Sequence, residues 1–96
     1  MSELPYTVEL AATAEQKWHQ LSDDEREEMI PWLRKLAQNP LPGGRSGMIR
    51  LRGRAVDGQP LFYSHTERFG IYHIVSEQRV FVLVIVARPS LDVTPA

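Results

Sequence analysis

The chain is predicted to form one small α+β domain, and three features of the sequence lead to that prediction. Residues 68–88 are rich in β-branched and aromatic side chains on both sides of a short polar break, as in a β-hairpin. Two helix-start signals follow a short alternating segment near the N-terminus. The 96 residues include no cysteine and suffice for one hydrophobic core. We therefore expect a single domain over residues 1–96, with an N-terminal strand, an αα-hairpin and a mostly antiparallel sheet of three or more strands.

The first half of the chain is expected to supply one strand and two helices. Residues 6–10 alternate between apolar and polar and predict a half-buried strand. Residues 13–16 and 22–25 have the spacing of capping boxes, so a helix is expected to begin at each. Pro31 lies inside the second helix, where we expect a kink or a break. Both helices carry an apolar stripe, so we expect them to fold back on each other and cover one face of the sheet.

The second half is expected to supply the other strands. Residues 48–52 alternate and predict a short strand, and residues 61–65 predict another, with Pro60 tolerated at its first position. Residues 80–87 carry no polar side chain on either alternate face. This pattern is typical of a central strand, so we expect apolar cover on both of its faces.

The register of the last hairpin decides where Arg68 and Arg88 point. With a three-residue turn at residues 76–78, the two arginines lie diagonally on one face, roughly 5–8 Å apart, and their guanidinium groups converge. With a two-residue turn, Arg88 instead shares a face with Phe69 and His73. The sequence leaves both registers open. In either register the end of the hairpin away from the turn is positively charged.

The formal net charge of −1 hides an uneven distribution. Through Pro42 there are eight acidic and four basic residues, a net of −4, and beyond it four acidic and seven basic residues, a net of +3. A basic half can attract a polyanion such as a nucleic acid. The longest apolar run has eight residues, too few to cross a membrane. We expect a soluble, cytoplasmic protein with no membrane partner.

Several side chains in the basic half have the chemistry that RNA cleavage needs, namely a base, an acid and cations around the phosphate. Arg88 and Arg68 can stabilise phosphate charge. His65 is of the residue type that exchanges a proton near neutral pH. Tyr63 shares the face of His65 in the predicted strand and can stack on a nucleobase.

Other charged and aromatic residues have simpler interpretations or weaker signals. Arginines at alternate positions can form one stripe that follows a nucleic-acid backbone, and these are Arg50, Arg52 and Arg54. His73 is expected to be a buried cross-strand residue, and His19 a surface residue. Trp18 and Trp32 are expected in the core or against a partner protein. The acidic residues 23–28 are interpreted as a solvated helix start that favours the helix dipole.

Short motifs mark each part of the predicted fold in order. They are Ala14-x-x-x-Trp18-x-x-Leu21 and Leu36-x-x-Asn39-Pro40 in the helices, Leu51-Arg52-Gly53 and Ile71-Tyr72-x-Ile74 in the strands, and Arg88 at the end of the last strand. Their order and spacing resemble the RelE/ParE superfamily of bacterial type II toxins. The resemblance covers nearly the whole chain, from residue 6 to about residue 88.

This resemblance implies a small α+β toxin of RelE-like fold that is neutralised by a cognate antitoxin wrapping over it. RelE-like members cleave mRNA in the ribosomal A site without a metal or other cofactor, through attack of a ribose 2′-OH on the adjacent phosphate. ParE-like members inhibit DNA gyrase. Arg88 matches the family's arginine at the end of the last strand. The RelE-like arginine before the Ile-Tyr pair falls on Phe69 here, with Arg68 one position earlier.

We therefore expect a ribosome-dependent mRNA endoribonuclease that inhibits translation, with the ribosome, mRNA and an antitoxin as partners. Two alternatives stand beside it: a ParE-like inhibitor of DNA gyrase, and a toxin-like protein that acts as a non-catalytic binding partner. Residues 61–65 lack the paired lysines of RelE-like members, and the chain is nearly neutral. Both features favour the alternatives.

Overall fold

The computed structural model of the chain describes residues 5–41, 48–56 and 58–87. Within these residues the strands form one sheet of five, in the order β1-β5-β4-β3-β2, with β1 parallel to β5 and the other neighbours antiparallel. The α+β prediction is confirmed. In chain order the elements are β1 (Thr7–Leu10), α1 (Ala12–Gln20), α2 (Asp23–Gln38), β2 (Ile49–Val56), β3 (Gln59–His65), β4 (Phe69–Ser76) and β5 (Arg79–Ala87).

One of the two predicted capping boxes forms. At the start of α2, Ser22 Oγ accepts a hydrogen bond from the Glu25 amide at 3.2 Å, and the Glu25 carboxylate accepts one from the Ser22 amide at 2.8 Å. The box predicted at Thr13 is wrong, because α1 begins at Ala12 with Ala11 as its N-cap. The Ala11 amide donates to the Val82 carbonyl at 2.8 Å. The chain is thus held on β5 up to the residue before the helix, and Thr13 lies inside the first turn.

Helix α2 runs through Pro31 to Gln38 as one helix, so the break considered from the sequence does not occur. A proline inside a helix costs roughly 3 kcal/mol. Met29 and Leu36, on either side of Pro31, are both fully buried. Burial of side chains of this size stabilises by about 1.5–3 kcal/mol each, which is enough to offset the proline. Pro31 itself lies on the exposed side of the helix.

The hydrophobic core lies between the helix pair and one face of the sheet. This confirms the prediction that the two helices cover a single face. Trp18 and Trp32 are partly buried and pack against the core, as expected from the sequence, and Leu33 packs beside them. The buried members are Ala14, Leu21, Met29, Leu36, Met48, Phe69, Ile71, Val80, Val82 and Ile85.

The β4–β5 hairpin has the two-residue turn, followed by a β-bulge. Ser76 pairs with Arg79, and Glu77 in the turn has a φ of 57°. Further along, His73 pairs with Val82 but Tyr72 pairs with Val84, which makes Leu83 the extra residue of a bulge. The register beyond the bulge is therefore neither of the two simple alternatives. It extends to the pair Phe69 and Ala87, and Arg88 lies outside the described residues.

In the described part of the chain the helices cover only one face of β5, which differs from the expected cover on both faces. Val80, Val82 and Ile85 face the helices and are buried, whereas Phe81 and Leu83 on the opposite face are half-buried and Val86 is 39% exposed. Among the described residues no helix packs on this second face, which we call the open face. No helix of the described part of the chain is long and apolar enough to cross a membrane.

Candidate functional site at the open face and the β3–β4 turn

Two tyrosines and a histidine form a row on the open face. Tyr63 of β3 pairs directly with Tyr72 of β4, and their ring centroids are 4.9 Å apart with a tilt of 54°. On the other side, the ring centroid of Tyr63 is 6.2 Å from that of His65. Two of the residues predicted for RNA chemistry, Tyr63 and His65, are therefore brought together on one face, with Tyr63 in the middle of the row.

Gly70 allows the ring of Tyr63 to lie against the sheet. A Cβ atom at Gly70 would stand 2.8 Å from the Tyr63 hydroxyl oxygen and 2.9 Å from its Cε1 atom, both closer than real Cβ contacts. Gly70 pairs with His65 across the two strands. Gly70 was not among the residues predicted from the sequence to shape the site. The signal was a glycine inside a strand pattern, which often marks close approach of another group to the backbone.

The ring of His65 is oriented by a short contact with the next residue. Its Nδ1 atom lies 3.0 Å from the carbonyl oxygen of Thr66. A carbonyl oxygen only accepts hydrogen bonds, so Nδ1 carries the proton in this contact and the unprotonated nitrogen of the neutral ring is Nε2. The side chain is exposed at the end of β3. This geometry suits a residue that takes up a proton through Nε2.

Glu28 of α2 holds the turn between β3 and β4. Its Oε2 atom accepts hydrogen bonds from the Thr66 hydroxyl at 2.6 Å and from the Arg68 amide at 3.1 Å, and its Oε1 atom accepts one from Arg68 Nε at 2.5 Å. The Thr66 hydroxyl in turn accepts from the Phe69 amide at 3.0 Å. Glu28 was interpreted from the sequence as part of a solvated acidic run, and this interpretation is wrong. Its partners are 38 and 40 residues further along the chain, beyond the reach of local pattern.

The same ion pair modifies the prediction that Arg68 contributes positive charge to the end of the hairpin away from the turn. The guanidinium is bound to a carboxylate of its own chain, although 48% of the Arg68 side chain stays exposed. The hydrogen bond to Glu28 raises the pKa of Arg68. Burial by itself would raise the pKa of Glu28, but the hydrogen bonds from Thr66 and Arg68 outweigh it and leave that pKa below its ordinary value.

An open cavity of about 490 Å³ lies beside this turn, between α2 and the end of β3. The Trp32 indole N–H donates to Ser64 Oγ at 3.1 Å, and Lys35 Nζ lies 4.6 Å from the centroid of the Trp32 ring. His65 borders both this cavity and the aromatic row. The residues that line it are Glu28, Pro31, Trp32, Lys35, His65, Thr66 and Glu67.

The three arginines predicted as a stripe lie on a strand whose alternation is interrupted. The pairing of β2 with β3 shifts between Arg50 and Ala55, and Gly53 has a φ of 69°. Arg52 and its neighbour Leu51 line the same cavity, of about 360 Å³, together with Leu61 and Tyr72. Regular alternation therefore does not place the arginines on one face, and the side chain of Arg54 lies outside what the structure describes. Their role in RNA binding stays a prediction.

His73 is a core residue, as predicted. It is fully buried, its ring centroid is 5.3 Å from that of Phe62, and its Nε2 atom lies 2.8 Å from the Pro40 carbonyl oxygen. Burial lowers the pKa of His73, and the contact with Pro40 opposes that shift only in part. In the described part of the chain, no group of three or more histidine and carboxylate side chains is placed to hold a metal ion.

The chain is a small α+β protein with two helices on one face of its sheet and a histidine beside stacked aromatic rings on the other. A chain of the archaeal RelE–RelB complex from Pyrococcus horikoshii OT3 has this fold, with a TM-score of 0.71 and 15% identity over 88% of this chain and 96% of that one. A chain of the toxin–antitoxin complex RelBE2 from Mycobacterium tuberculosis is similar, with a TM-score of 0.69 and 20% identity over 88% and 99%. No protein-family model and no curated protein matches the sequence. The RelE-like fold expected from the sequence is thus confirmed.

Proposed function

We propose that this protein is the toxin of a type II toxin–antitoxin pair and that it inhibits translation by cleaving mRNA on the ribosome. The observation that carries the proposal is the row on the open face, where Tyr63 lies over Gly70 beside His65. Chains of the same fold occur in toxin–antitoxin complexes. Action on the ribosome would take place in the cytoplasm.

The proposed reaction is transesterification within the RNA strand. The ribose 2′-oxygen attacks the adjacent phosphorus, the bond from phosphorus to the 5′-oxygen breaks, and a 2′,3′-cyclic phosphate and a 5′-hydroxyl result. His65 Nε2 accepts the 2′-OH proton, the departing 5′-oxygen takes a proton from water, and Tyr63 stacks on a nucleobase at the site. Arg88 and Arg68 carry the cationic stabilisation of the phosphorane. For Arg88 this assignment comes from its position in the sequence.

Two kinds of partner follow from this function. Arg50, Arg52 and Arg54 are assigned to backbone contacts with RNA, which fix register without reading sequence. A cognate antitoxin is the expected protein partner, and the half-buried apolar side chains of β5 on the open face offer it a surface. An overall charge of −1 suits binding that depends on local shape more than on a strongly basic surface.

Titrated expression in a bacterium tests the function in cells. We expect incorporation of labelled amino acids to stop before incorporation of labelled nucleotides. In a purified system, mRNA should be cut when ribosomes are present, and His65→Ala should lose that cleavage. His19→Ala is the matched control, because His19 is an exposed histidine on α1. Transcripts that stay intact with purified ribosomes would rule out the nuclease.

A non-catalytic mode of action is the second candidate, and the ion pair between Arg68 and Glu28 favours it. An arginine already bound to a carboxylate 2.5 Å away is less available to a phosphate. The gyrase-directed version predicts DNA-damage signalling with protein synthesis initially intact, and inhibition of supercoiling by purified DNA gyrase. Growth arrest that disappears in Arg88→Ala would exclude a protein that has lost toxicity.

A further inference from the structure

We propose that Glu28 is a positioning residue, which sets the ring of His65 and the guanidinium of Arg68 for the cleavage reaction; the inference rests on the proposed function. Glu28 lies in the second turn of α2 and its side chain is 21% exposed. It receives hydrogen bonds from both Thr66 and Arg68. One carboxylate of the helix layer thus holds the segment that carries two of the candidate reactive groups.

The connection from Glu28 to His65 runs through Thr66. The Thr66 hydroxyl donates to Glu28 at 2.6 Å, and the Thr66 carbonyl accepts from His65 Nδ1 at 3.0 Å. The position of Thr66 therefore determines where the acceptor for Nδ1 stands. An acceptor at Nδ1 keeps the proton there and presents Nε2 as the base. Without the bond to Glu28, Thr66 can move, and the ring can rotate or exchange its proton between the two nitrogens.

Hydrogen bonds within the β3–β4 turn close it without Glu28. The role of Glu28 in positioning the turn is therefore separate from the closure of the turn. The Thr66 amide donates to the Phe69 carbonyl at 2.8 Å, and the Phe69 amide donates to Thr66 Oγ1 at 3.0 Å. These two bonds close the turn between β3 and β4 within a few residues. Glu28 adds the link between that closed turn and α2. Its particular effect is the placement of the turn over the cavity that His65 and Trp32 line.

The connection to Arg68 has a different consequence for the reaction. Glu28 binds Arg68 at Nε, so the plane of the guanidinium is fixed from one edge. About half of the Arg68 side chain, 48%, stays exposed. A phosphate that approaches from solvent then meets a guanidinium of set orientation whose charge Glu28 partly balances, so Glu28 affects the orientation of Arg68 more than its net charge.

Glu28→Gln, with Glu27→Gln as matched control, tests the inference. Both changes remove one negative charge from the same helix, but Glu27 is exposed. We expect Glu28→Gln to lower kcat for ribosome-dependent cleavage about 10- to 100-fold, the loss typical of a misplaced reactive group, and to change the pH profile of kcat. Nitrogen NMR of the purified protein should show His65 leaving the Nδ1-protonated form. Glu27→Gln should leave both measurements unchanged.

The NMR measurement needs no ribosome, so the positioning role of Glu28 and the proposed nuclease activity can be tested separately. Unchanged His65 nitrogen signals and unchanged kcat in Glu28→Gln would overturn the positioning role while the nuclease stands. A wild-type protein that cuts no RNA, but whose His65 signals shift in Glu28→Gln, would overturn the nuclease and uphold the positioning. Should Glu28→Gln fail to fold, Thr66→Val removes the hydrogen bonds of the hydroxyl to Glu28 and to the Phe69 amide and keeps the ion pair with Arg68. The same shift in the His65 signals is expected there, and its absence would overturn the role.

Discussion

Glu28 and Arg68 form an ion pair at 2.5 Å between side chains 40 positions apart in the sequence. The pair joins the acidic first half of the chain, in helix α2, to the basic second half, at the turn between β3 and β4. The two halves carry net charges of −4 and +3. Part of the positive charge that suggested a surface for a polyanion is thus balanced within the molecule.

Removal of Glu28 should make the protein less stable and less sensitive to acid. At pH 7, Glu28→Ala should lower the free energy of unfolding by about 1–2 kcal/mol. This loss is smaller than that of a fully buried charged hydrogen bond, because the site is partly exposed. The pKa of Glu28 is lowered in the folded state, so its stabilisation is complete above the ordinary glutamate pKa, near 4.3, and is lost as the pH falls through the folded-state value. Urea titrations at pH 7, 5 and 3 measure this. Equal pH slopes for wild type and variant would contradict it.

Gly70→Ala should displace the ring of Tyr63. The added Cβ would meet ring atoms at 2.8 and 2.9 Å, and because a side chain can swing away, the cost to stability should be small, about 1 kcal/mol. The chemical shifts of residues near the Tyr63 ring should change. In a Tyr63→Ala background, Gly70→Ala should cost nothing further, which a double-mutant cycle measures. If Gly70→Ala lowered the stability as much in the Tyr63→Ala background as in the wild type, the steric clash would not involve the Tyr63 ring.

The buried His73 should make the protein sensitive to mild acid. Its Nε2–H donates to Pro40, and its Nδ1 has no hydrogen-bond partner among the described residues. Burial lowers the pKa of His73, so stability should fall as the pH drops below the ordinary histidine value, near 6.5, toward the folded-state pKa. His73→Phe should lower the free energy of unfolding by about 1–3 kcal/mol at pH 7.5, because the Pro40 carbonyl loses its donor. Between pH 7 and 5, the stability of this variant should depend less on pH than that of the wild type. The exposed His19 provides the control, since His19→Gln should keep the wild-type slope.

Tyr63 should act through stacking and not through its hydroxyl. Stacking of a base on an aromatic side chain contributes about 1–3 kcal/mol, so Tyr63→Ala should raise KM for ribosome-dependent cleavage roughly 10- to 100-fold with a smaller effect on kcat. Tyr63→Phe keeps the ring and should stay close to wild type. A large loss of kcat in Tyr63→Phe would instead assign the hydroxyl to proton transfer.

The elements of the fold could be predicted from sequence because they depend on local pattern. The capping box at Ser22, the alternation in β1 and the β-branched strands β4 and β5 each involve residues a few positions apart. The pairing of Tyr63 and His65 on one face followed from the period of two in a strand. Two errors, the second face of β5 and the environment of Glu28, arose where local pattern was used to predict long-range cover. An apolar run in β5 indicated two buried faces, whereas only one meets the helices.

Sequence alone determined the α+β class, the two helices, the central hairpin and the residue types available for chemistry, since propensity and periodicity act over short stretches of chain. Tertiary structure decided the bulge at Leu83, which shifts the hairpin register, and the approach of Tyr63 to Gly70. It also decided the partner of Arg68. A carboxylate 40 residues away meets the guanidinium because α2 packs across the sheet beside the β3–β4 turn, and the energy of an ion pair depends on distance in space, which spacing along the chain does not encode.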